Sequence, residues 1–447
     1  MTCSPTLEFI CRHRVGVLGY GREGRGVVRA LKRHDPDIDL TVLIEAGSVP
    51  EEVPARIGPF DAHLLDYELL LRSPGVPVDH PALVEFRRHG GRVINPSSIW
   101  LAERADVPVI GITGSKGKST TASVLAHLFR EAGVNSLLAG NIGIPLIEHL
   151  DTDAETVVLE LSSYQLTDLE GRLAMGLMTR LFPEHLDWHG SLDDYVHSKL
   201  RLAALLAGRP LLVNANDPVL MAATEGIPGR IAANRPPCIH RLEDALWLDD
   251  QQLSGTASLS LMGRHNLDNV ALALEAGRRS GLDLESMLSA LKTFRPLSHR
   301  LEVVAESNGV RWINDSISTS PYATRAALEA LGDVPVILIV GGKDRSADWS
   351  ELIAWSRIHR LQALLTLPDN GAAIGRAFRD RIGPAELVIH AVENVEEAVQ
   401  RARRLSRPGS VVLLSPGAPS FPQFRDFEER GERFAAAARG VSARQPQ

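Results

Sequence analysis

Gly111-Ile-Thr-Gly-Ser-Lys-Gly-Lys-Ser-Thr120 follows the apolar run Val107-Pro-Val-Ile110 near the start of the second quarter of the chain. An apolar run, a glycine-rich turn and an amphipathic segment in this order predict a strand, a loop and a helix over about residues 121–132. Such a loop turns backbone N–H groups towards phosphate oxygens, and the helix adds the favourable end of its dipole. The stretch therefore predicts an α/β domain that binds a phosphate group.

The side chains of this loop are those that a bound nucleotide needs. Gly114 and Gly117 permit the tight turn, and Lys118 is placed to reach the β- and γ-phosphates. The hydroxyl of Ser119 or Thr120 is a suitable ligand for Mg²⁺. A glycine-rich turn that binds nothing is the alternative, but packing alone does not require a lysine and two hydroxyls at the start of a helix.

Composition limits the class of protein. The 447 residues favour about three domains, and the 44% apolar and 23% charged residues are typical of a globular protein. The net charge of −7 argues against a large nucleic-acid surface. Cys3, Cys11 and Cys238 fit reduced thiols, and no apolar run approaches the roughly 18 residues of a membrane span. We expect a cytoplasmic protein with no membrane span and no nucleic-acid partner.

Apolar strand-like runs alternate with amphipathic helical stretches, which predicts an α/β fold with mostly parallel sheets. Three blocks can be separated, at about residues 1–106, 107–297 and 298–447. The later predicted strands of the second and third blocks are the runs 157–161, 178–182, 210–214, 310–315, 336–340, 363–367, 387–391 and 411–415.

The first block opens with another glycine loop. Gly19-x-Gly21-x-x-Gly24 follows a predicted strand and begins a helix, so a dinucleotide or a nucleotide diphosphate could lie at that helix N-terminus. Glu45 ends the next predicted strand, where an acid that binds a ribose would stand. The tight turn at 72–76 could wrap the same ligand. A turn that only lets the strand and the helix pack closely explains the pattern equally well.

Polar residues follow the predicted strands of the second block. Glu160 ends a strand and should face the phosphate loop, where a carboxylate suits Mg²⁺. His185 ends another strand and is a candidate metal ligand, with Asp187 as its hydrogen-bonding partner. Lys199 lies on a predicted helix, and it would be functional only if its side chain turned inward.

Further polar groups belong to the end of the second block and to the third. Asn266 and Asn269 are three residues apart, so they share one helix face, where amides can read a purine edge or cap a helix. The segments 314–316, 341–344 and 414–421 lie at predicted strand ends, which favours a rim that faces a ligand.

Together these residues resemble those of the Mur ligases, the ATP-dependent amide-forming enzymes of peptidoglycan synthesis, and most closely the MurD-type branch that adds glutamate. The resemblance covers nearly the whole chain in order. Its motifs are Gly19–Gly24, Ser73–Gly75, Thr113–Thr120, Gly140–Gly143, Glu160–Leu166, Glu184–Asp187, Tyr195–Lys199, Asn214–Asp217, His265–Asn269, His299–Arg300, Asn314–Ser316, Ser415–Phe421 and Phe427–Gly431.

The resemblance implies a role in cell-wall biogenesis, and so in cell shape and division. It also implies three domains: a Rossmann-like domain that binds a UDP-sugar at 1–106, a central P-loop ATPase domain at 107–297 and a Rossmann-like domain that binds glutamate at 298–447. ATP would phosphorylate the carboxylate of UDP-N-acetylmuramoyl-L-alanine, and the amine of glutamate would attack the acyl phosphate. Cations must neutralise the carboxylate and the phosphate, which agrees with two Mg²⁺ ions.

The resemblance also assigns site residues, as an expectation. Lys118 would hold phosphates, Ser119 and Glu160 would bind one Mg²⁺, and His185 and a carbamylated Lys199 would bind the other. The expected catalytic residues are therefore Lys118, His185, Lys199 and Glu160. The expected ATP-binding residues are Gly114, Ser115, Gly117, Lys118, Ser119, Thr120, Asn266, Asn269, Arg300 and Asp315. The expected UDP-sugar-binding residues are Gly19, Tyr20, Gly21, Glu45, Ser73, Pro74, Gly75 and Asn141.

The expected glutamate site departs from the MurD-type pattern. The resemblance places Ile317, Thr319, Arg345, Ser420 and Phe427 there, and the branch usually has lysine at the first and third of these positions. Arginine binds a carboxylate as a planar fork, so it does not replace lysine without consequence. These departures favour L-glutamate, with a separate epimerase acting on the product, while a ligase for D-glutamate is the alternative. Lys116 and the run 180–182 also depart from the pattern, without a functional interpretation.

Other classes of protein fit the sequence less well. A ligase of the folylpolyglutamate-synthase type would lack a Rossmann-like block before the phosphate loop. A dehydrogenase that uses Gly19–Gly24 would leave Thr113–Thr120, Glu160 and His185 unexplained. A nucleotide-binding protein without catalysis remains open, and it would show no ATP hydrolysis with any muramoyl nucleotide.

Overall fold

The computed structural model describes residues 4–45, 49, 53–142, 145–182, 186–255, 264–295, 298–344, 347–359, 361–383 and 386–440. Among these residues, no helix combines the length and the apolar character that a membrane crossing requires. The chain divides into two compact units, one of residues 1–259 with 265–294 and the other of 295–447 with 260–264. The units are described separately below.

The first unit begins with a parallel sheet. Its strands are β1 (Val15–Leu18), β2 (Leu40–Ile44), β3 (Ala55–Ile57), β4 (Leu69–Arg72) and β5 (Arg92–Ile94). They lie in the order β3-β2-β1-β4-β5, with every neighbouring pair parallel. The helices of this part are α1 (Leu7–Cys11), α2 (Arg22–His34), α3 (Pro81–Arg88) and α4 (Pro96–Glu103), with 3-10 turns at Ala62–Asp66 and, later, Leu146–His149.

A second parallel sheet of the first unit carries the phosphate loop. Its strands are β6 (Val109–Thr113), β7 (Ser136–Gly140), β8 (Thr156–Glu160), β9 (Met175–Met178), β10 (Leu211–Asn214) and β11 (Arg230–Ala233). Their order is β11-β10-β9-β6-β8-β7. The helices are α5 (Lys118–Glu131), α6 (Ser163–Leu166), α7 (Leu186–His189), α8 (Leu192–Leu206), α9 (Pro218–Ala223), α10 (Arg264–Arg279) and α11 (Leu284–Leu291). A small antiparallel sheet follows, of β12 (His240–Leu242), β13 (Ala245–Leu248) and β14 (Gln251–Gly255).

The second unit has one mixed sheet. Its strands are β15 (Glu302–Ser307), β16 (Val310–Asn314), β17 (Val336–Val340), β18 (Ala363–Thr366), β19 (Val388–Ala391) and β20 (Val411–Leu414). The order is β15-β16-β20-β17-β18-β19, and among the described pairs of this sheet only β15–β16 is antiparallel. The helices are α12 (Pro321–Leu331), α13 (Ser350–His359), α14 (Gly371–Ile382), α15 (Val395–Leu405) and α16 (Phe427–Arg439).

The central parallel strands are buried along their whole length, as helix-covered sheets require, whereas edge strands such as β3 and β19 are partly or fully exposed. Every residue of β6, β8, β17 and β20 is buried. In the second sheet the register places Ile112 beside Glu160 and Thr113 beside Met178, so the carboxyl ends of three strands lie at one edge. That edge is where a ligand of an open α/β sheet binds.

The predicted fold class, α/β with mostly parallel sheets, is confirmed. Most of the predicted strands agree with the structure to within one residue at each end, but one strand and one helix differ more. The strand predicted at 178–182 instead covers Met175–Met178, because the residues after it leave the sheet and several of them bond to the phosphate loop. The helix expected from about residue 121 begins at Lys118, because Gly117 itself acts as the N-cap. The proposed domain boundaries stay predictions.

Candidate active site

The phosphate loop connects β6 to α5. Gly114 and Gly117 have φ angles of +145° and +94°, which L side chains rarely adopt. A Cβ at Gly114 would overlap Thr179 Oγ1, and a Cβ at Gly117 would overlap Asn269 Oδ1. Both glycines are therefore required, by the backbone angle and by the lack of space.

The segment that follows β9 braces this loop. The backbone N–H of Ser115 donates to Arg180 O at 2.6 Å, and Thr179 Oγ1 donates to Lys116 O at 2.6 Å. Phe182 N donates to Ser115 Oγ at 2.8 Å. The run 180–182 thus acts largely through its backbone, which fixes the loop before any ligand binds.

Two lysines contact the loop. Lys118 Nζ donates to Ser115 O at 2.9 Å, and Lys199 Nζ donates to Gly114 O at 2.9 Å. Lys199 is only 2% exposed, and its ammonium lies 4.7 Å from the centre of the Tyr195 ring. The hydroxyl of Tyr195 is 2.6 Å from Ser115 Oγ. The side chain of Lys199 therefore turns inward, which was the condition for giving it a function.

Glu160 ends β8 with a fully buried side chain. Its Oε1 accepts a hydrogen bond from Asn141 Nδ2 at 3.0 Å, so a residue predicted for the UDP-sugar contacts one predicted for metal. Its Oε2 is buried and has no hydrogen-bond partner in the described part of the chain. A buried carboxylate oxygen is costly without a partner, so this oxygen is suited to a cation.

Helix α10 brings its two asparagines to the loop. Asn269 Nδ2 donates to Asn266 Oδ1 at 3.2 Å, and both side chains are buried. Between them in sequence, Asp268 is paired with Arg180 at 2.7 Å and with Arg241 at 2.9 Å. The buried carboxylate of Asp268 therefore links α10 to the segment after β9 that contacts the phosphate loop.

The glycine loop after β1 is also tightly packed. Gly19 has a φ angle of +85°, and a Cβ at Gly24 would overlap the carbonyl oxygen of Gly19. Ser73 Oγ donates to that same carbonyl at 3.2 Å. Gly21 is the N-cap of α2 and supplies no side chain to the first N–H groups of the helix. These N–H groups can bind a phosphate.

A buried arginine supports the 72–76 turn. Arg72 is fully buried, and its Nε and NH2 groups donate to the two carboxylate oxygens of Asp168 at 2.7 Å each. Its third nitrogen, NH1, donates to Val76 O at 2.5 Å and lies 3.3 Å from Pro74 O. Asn95 Nδ2 also donates to Asp168, at 2.9 Å. The pair thus connects the turn to the segment that follows α6.

Glu23 lies next to this pair, in the first turn of α2. Its Oε1 accepts from Gln165 Nε2, and its Oε2 has no hydrogen-bond partner within the residues described. Burial raises the pKa of Glu23 to about 7, although Gln165 and Arg72 lower it. Gln165 in turn accepts from Ser162 N at 3.0 Å. A chain of contacts therefore runs from the first glycine loop to the residues just after Glu160.

In the second unit, Asp315 follows β16 and is almost fully buried. It accepts hydrogen bonds from Ser318 Oγ at 2.6 Å, Ser415 Oγ at 2.7 Å and Leu301 N at 3.2 Å. Burial raises the pKa of Asp315 to about 6, although the two hydroxyls and Arg300 lower it. This carboxylate therefore ties the loop after β16 to the loop after β20.

Backbone contacts hold three loops of the second unit together. Gly417 N donates to Ser318 O at 3.0 Å, and Lys343 N donates to Pro419 O at 2.9 Å. The loops after β16, β17 and β20 therefore meet at the carboxyl edge of the sheet. We call this edge the rim, and define it as residues 315–320, 341–344 and 415–421.

Arg430 of α16 lies buried beneath the rim. It donates to Ser316 O at 2.8 Å, Ser316 Oγ at 3.0 Å and Ala418 O at 3.0 Å. Burial lowers the pKa of Arg430 to about 9. Its hydrogen bonds within the described residues go to carbonyl and hydroxyl groups, so it supports the rim from inside.

The other predicted glutamate residues sit at or near the rim. Ile317 is half-buried and Thr319 is exposed, while Ser420 is buried. The ring of Phe427 lies 6.0 Å from that of His299. Arg345, His185 and the side chain of Asp187 lie outside the described residues. On the UDP-sugar side, Tyr20 and Pro74 are half-buried, and Gly21, Glu45, Gly75 and Asn141 are exposed.

Sequence reasoning missed several charged groups. Arg72 was treated only as part of a turn, although a cation at the end of an apolar strand is a signal of pairing. Asp268 stood unnoticed between the two asparagines. Nothing in the pattern marked Asp168 as the partner of Arg72, because the two are 96 residues apart.

Comparison with protein families gives two matches. The Mur ligase middle domain matches residues 112–277, and the Mur ligase glutamate ligase domain matches residues 299–417. Among curated relatives, a UDP-N-acetylmuramoyl-L-alanine–L-glutamate ligase of a Micromonospora species is 38% identical, covering 96% of this chain and 97% of its own length. The protein of the same name from Xanthomonas oryzae is 37% identical, covering 95% and 94%.

Solved structures share the fold. The MurC ligase of Thermotoga maritima superposes with a TM-score of 0.60 at 16% identity, covering 96% of this chain and 99% of its own. The MurF ligase of the same organism, solved in complex with ADP, gives a TM-score of 0.59 at 16% identity, covering 95% of each chain.

Proposed function

This chain belongs to the Mur ligase family, and from that premise we propose that it joins L-glutamate to UDP-N-acetylmuramoyl-L-alanine in peptidoglycan precursor synthesis. Mur ligases are ATP-dependent amide ligases, so the chain is an ATP-dependent ligase. The observation that carries the substrate proposal is the similarity to two L-glutamate ligases along nearly the full length of both chains.

The proposed phosphate site is the loop after β6. Its backbone N–H groups and the N-terminus of α5 would bind the phosphates of ATP, with Lys118 against the transferred phosphate. Asn266 and Asn269 are proposed for the nucleotide because Asn269 lies against Gly117 and donates a hydrogen bond to Asn266. Arg300 and Asp315, in the second unit, are proposed for the same nucleotide.

Mg²⁺ fits the donors at this edge. Ser119 supplies a hydroxyl in the first turn of α5, and the unpartnered Oε2 of Glu160 supplies a carboxylate oxygen. When bound, the ions would neutralise the phosphates and the carboxylate that must approach each other. A second ion would be held by His185 and a carbamylated Lys199, whose carbamate oxygen would replace its ammonium.

The proposed reaction proceeds by activation of a carboxylate. The muramoyl-alanine carboxylate attacks the γ-phosphorus of ATP, and ADP leaves. The neutral amine of glutamate then attacks the acyl carbon, phosphate leaves, and the amine loses a proton. Lys118 stabilises charge on the transferred group, and the closely packed loop holds it without rearrangement.

The UDP-sugar is proposed to lie on the first sheet. Its diphosphate would bind at the N-terminus of α2 beside Gly19 and Gly21, with the Ser73–Gly75 turn against it. Asn141, which already contacts Glu160, would bind the sugar near the reacting carboxylate. Glu45 and Tyr20 are proposed for the uridine end.

Glutamate is proposed to bind at the rim. Ile317, Thr319, Arg345, Ser420 and Phe427 are proposed as its contacts, and the arginine would bind a carboxylate as a fork. L-glutamate in the product would require a separate epimerase to give a D-glutamyl peptide.

Product analysis tests the proposal. The protein is incubated with ATP, Mg²⁺, UDP-N-acetylmuramoyl-L-alanine and each glutamate enantiomer separately, and kcat/KM is measured for both. We expect L-glutamate to be favoured at least about tenfold, which is about 1.4 kcal/mol of discrimination. A tenfold preference for D-glutamate would make the chain an ordinary D-glutamate ligase. ATP hydrolysis without any muramoyl-glutamate product would contradict the ligase assignment to this substrate.

A further inference from the structure

The loop after β17 carries an exposed lysine beside an exposed aromatic ring. Lys343 Nζ lies 5.3 Å from the centre of the Phe421 ring, within the range of a cation–π contact. Phe421 is 59% exposed, which is unusual for a large apolar side chain. Within the described residues Lys343 has no carboxylate partner. A cation and an aromatic ring therefore stand together at the rim, open to a ligand.

The backbone of Lys343 is held as firmly as its side chain. Its N–H donates to Pro419 O at 2.9 Å, and the N–H of Gly342 donates to Asn370 Oδ1 at 3.0 Å. A Cβ at Gly342 would overlap Pro419 O, so the two loops are in close contact. The ammonium is thus presented by a rigid support, which reduces the entropy lost when it binds an anion.

The proposed substrate needs cations at the rim. Glutamate with a neutral, nucleophilic amine carries two carboxylates, and each must find a charged or hydrogen-bonding partner. Residues 315–320 and 415–421 contain no lysine or arginine. Arg430 beneath them donates to Ser316 and Ala418. The loop after β17 is therefore the source of exposed positive charge in the rim as defined here.

We propose that Lys343 binds a carboxylate of the incoming glutamate and helps to select its enantiomer. The proposal rests on the proposed function and adds a specificity residue to it. β20 lies between β16 and β17, so a cation after β17 is about 10 Å, or two strand spacings, from the end of β16. A carboxylate drawn to the β17 side sets the direction in which the α-carbon presents its amine.

Steady-state kinetics of Lys343→Met test the proposal. We expect KM for L-glutamate to rise at least tenfold, kcat to stay within about threefold, and KM for ATP and for the UDP-sugar to be unchanged. Lys343→Arg keeps the charge but changes its geometry, so we expect its KM for L-glutamate to rise less than that of Lys343→Met. Arg404→Met is the matched control, since it removes an exposed cation from the last turn of α15, away from the rim.

Two further variants separate charge from packing and test selection. Phe421→Leu removes the ring; if it raises KM for glutamate as much as Lys343→Met does, the lysine acts by holding the ring and the proposal is wrong. Ile317→Lys combined with Lys343→Met moves the cation to the end of β16, and we expect the preference for L- over D-glutamate to fall at least tenfold.

The outcomes distinguish this proposal from the proposed function. Product with L-glutamate, together with the same glutamate KM in Lys343→Met and Arg404→Met, would overturn the role of Lys343 and leave the ligase intact. No product from wild type with either enantiomer would overturn both. The proposal is supported if Lys343→Met raises KM for glutamate alone, if the rise is smaller in Lys343→Arg, and if Arg404→Met shows no rise.

Discussion

The two glycine loops of the first unit have the same design but different charges. Each follows a buried parallel strand, contains at least one glycine of positive φ and opens a helix whose N-cap is a glycine. The loop after β6 has lysines 118 and 199 bonded to its own carbonyls. The loop after β1 has no lysine, and its first helical turn carries an exposed Arg22 and Glu23, whose Oε2 is buried.

This difference matches two kinds of phosphate chemistry. A phosphate that is transferred develops charge as it reacts, so its site needs cations that stabilise that change. A diphosphate that only anchors a substrate keeps its charge, and helix N–H groups are sufficient for it. The charges therefore agree with the proposed transfer at the loop after β6 and the proposed anchoring at the loop after β1.

The largest expected effect is that of Lys118→Ala. We expect kcat to fall by about 10³-fold, or about 4 kcal/mol, because the transferred phosphate loses its cation. The melting temperature should stay close to that of wild type, since Lys118 is only half-buried and the hydrogen bond to Ser115 O contributes about 1 kcal/mol.

Lys116→Ala is the matched control, because it removes a cation from the same loop at a position with no proposed phosphate contact. It should lose less than about tenfold in kcat. If Lys118→Ala keeps more than about a tenth of wild-type kcat, the proposal that the loop after β6 needs this cation for phosphate transfer is wrong.

The second largest expected effect is on the free energy of unfolding, and it concerns the buried ion pair beside the loop after β1. Arg72→Met leaves Asp168 buried without its cation, so we expect the free energy of unfolding to fall by about 3 kcal/mol. KM for the UDP-sugar should rise as the 72–76 turn loosens, while KM for ATP should not. Arg92→Met is the control: its pair with Glu170 is partly exposed, and its loss should cost less than about 1 kcal/mol. Equal losses in the two variants would contradict the role of the buried pair.

How far these loops could be predicted depends on how local their determinants are. The phosphate loop, its glycines and the strand before it follow from contiguous residues, so the motif identified them. The inward turn of Lys199 and the pairing of Arg72 with Asp168 depend on which helix packs on which strand, and no local pattern encodes that. Residues 179–182 were predicted to be part of a strand, whereas Thr179, Arg180 and Phe182 form hydrogen bonds with the phosphate loop.

Lys199→Ala tests whether the second lysine acts as an amine or as a carbamate. We expect activity to fall about 100-fold in either case, because the loop loses a buried contact at Gly114. Added formate or acetate should restore part of the activity if a carbamate is the missing group. Lys118→Ala in the same buffer is the control and should not recover. Full activity in Lys199→Ala, or in enzyme stripped of CO₂, would rule out the carbamate.

The smallest expected effect concerns Glu23 and the pH dependence of anchoring. Its pKa of about 7 is above the ordinary value because of burial, so the carboxyl is protonated at lower pH and ionised at higher pH. The diphosphate of a UDP-sugar is a diester, and its charge does not change over about pH 6–9. An ionised Glu23 at the N-terminus of α2 would repel it, whereas the protonated acid would not.

Binding of the UDP-sugar should therefore be proton-linked through this residue. KM for the UDP-sugar should be constant below about pH 7 and rise up to about tenfold above it. The steepness of this rise with pH is that of a single proton, because one carboxyl is titrated. Glu23→Gln keeps the hydrogen-bonding shape and removes the charge, so its profile should be flat and should equal the low-pH value of wild type. KM for ATP, which binds at the other loop, should show the same pH profile in both proteins. If KM for the UDP-sugar has the same pH dependence in wild type and in Glu23→Gln, then Arg72 and Gln165 already neutralise the carboxylate. The contrast between an anchoring and a transferring loop would then depend on the lysines alone.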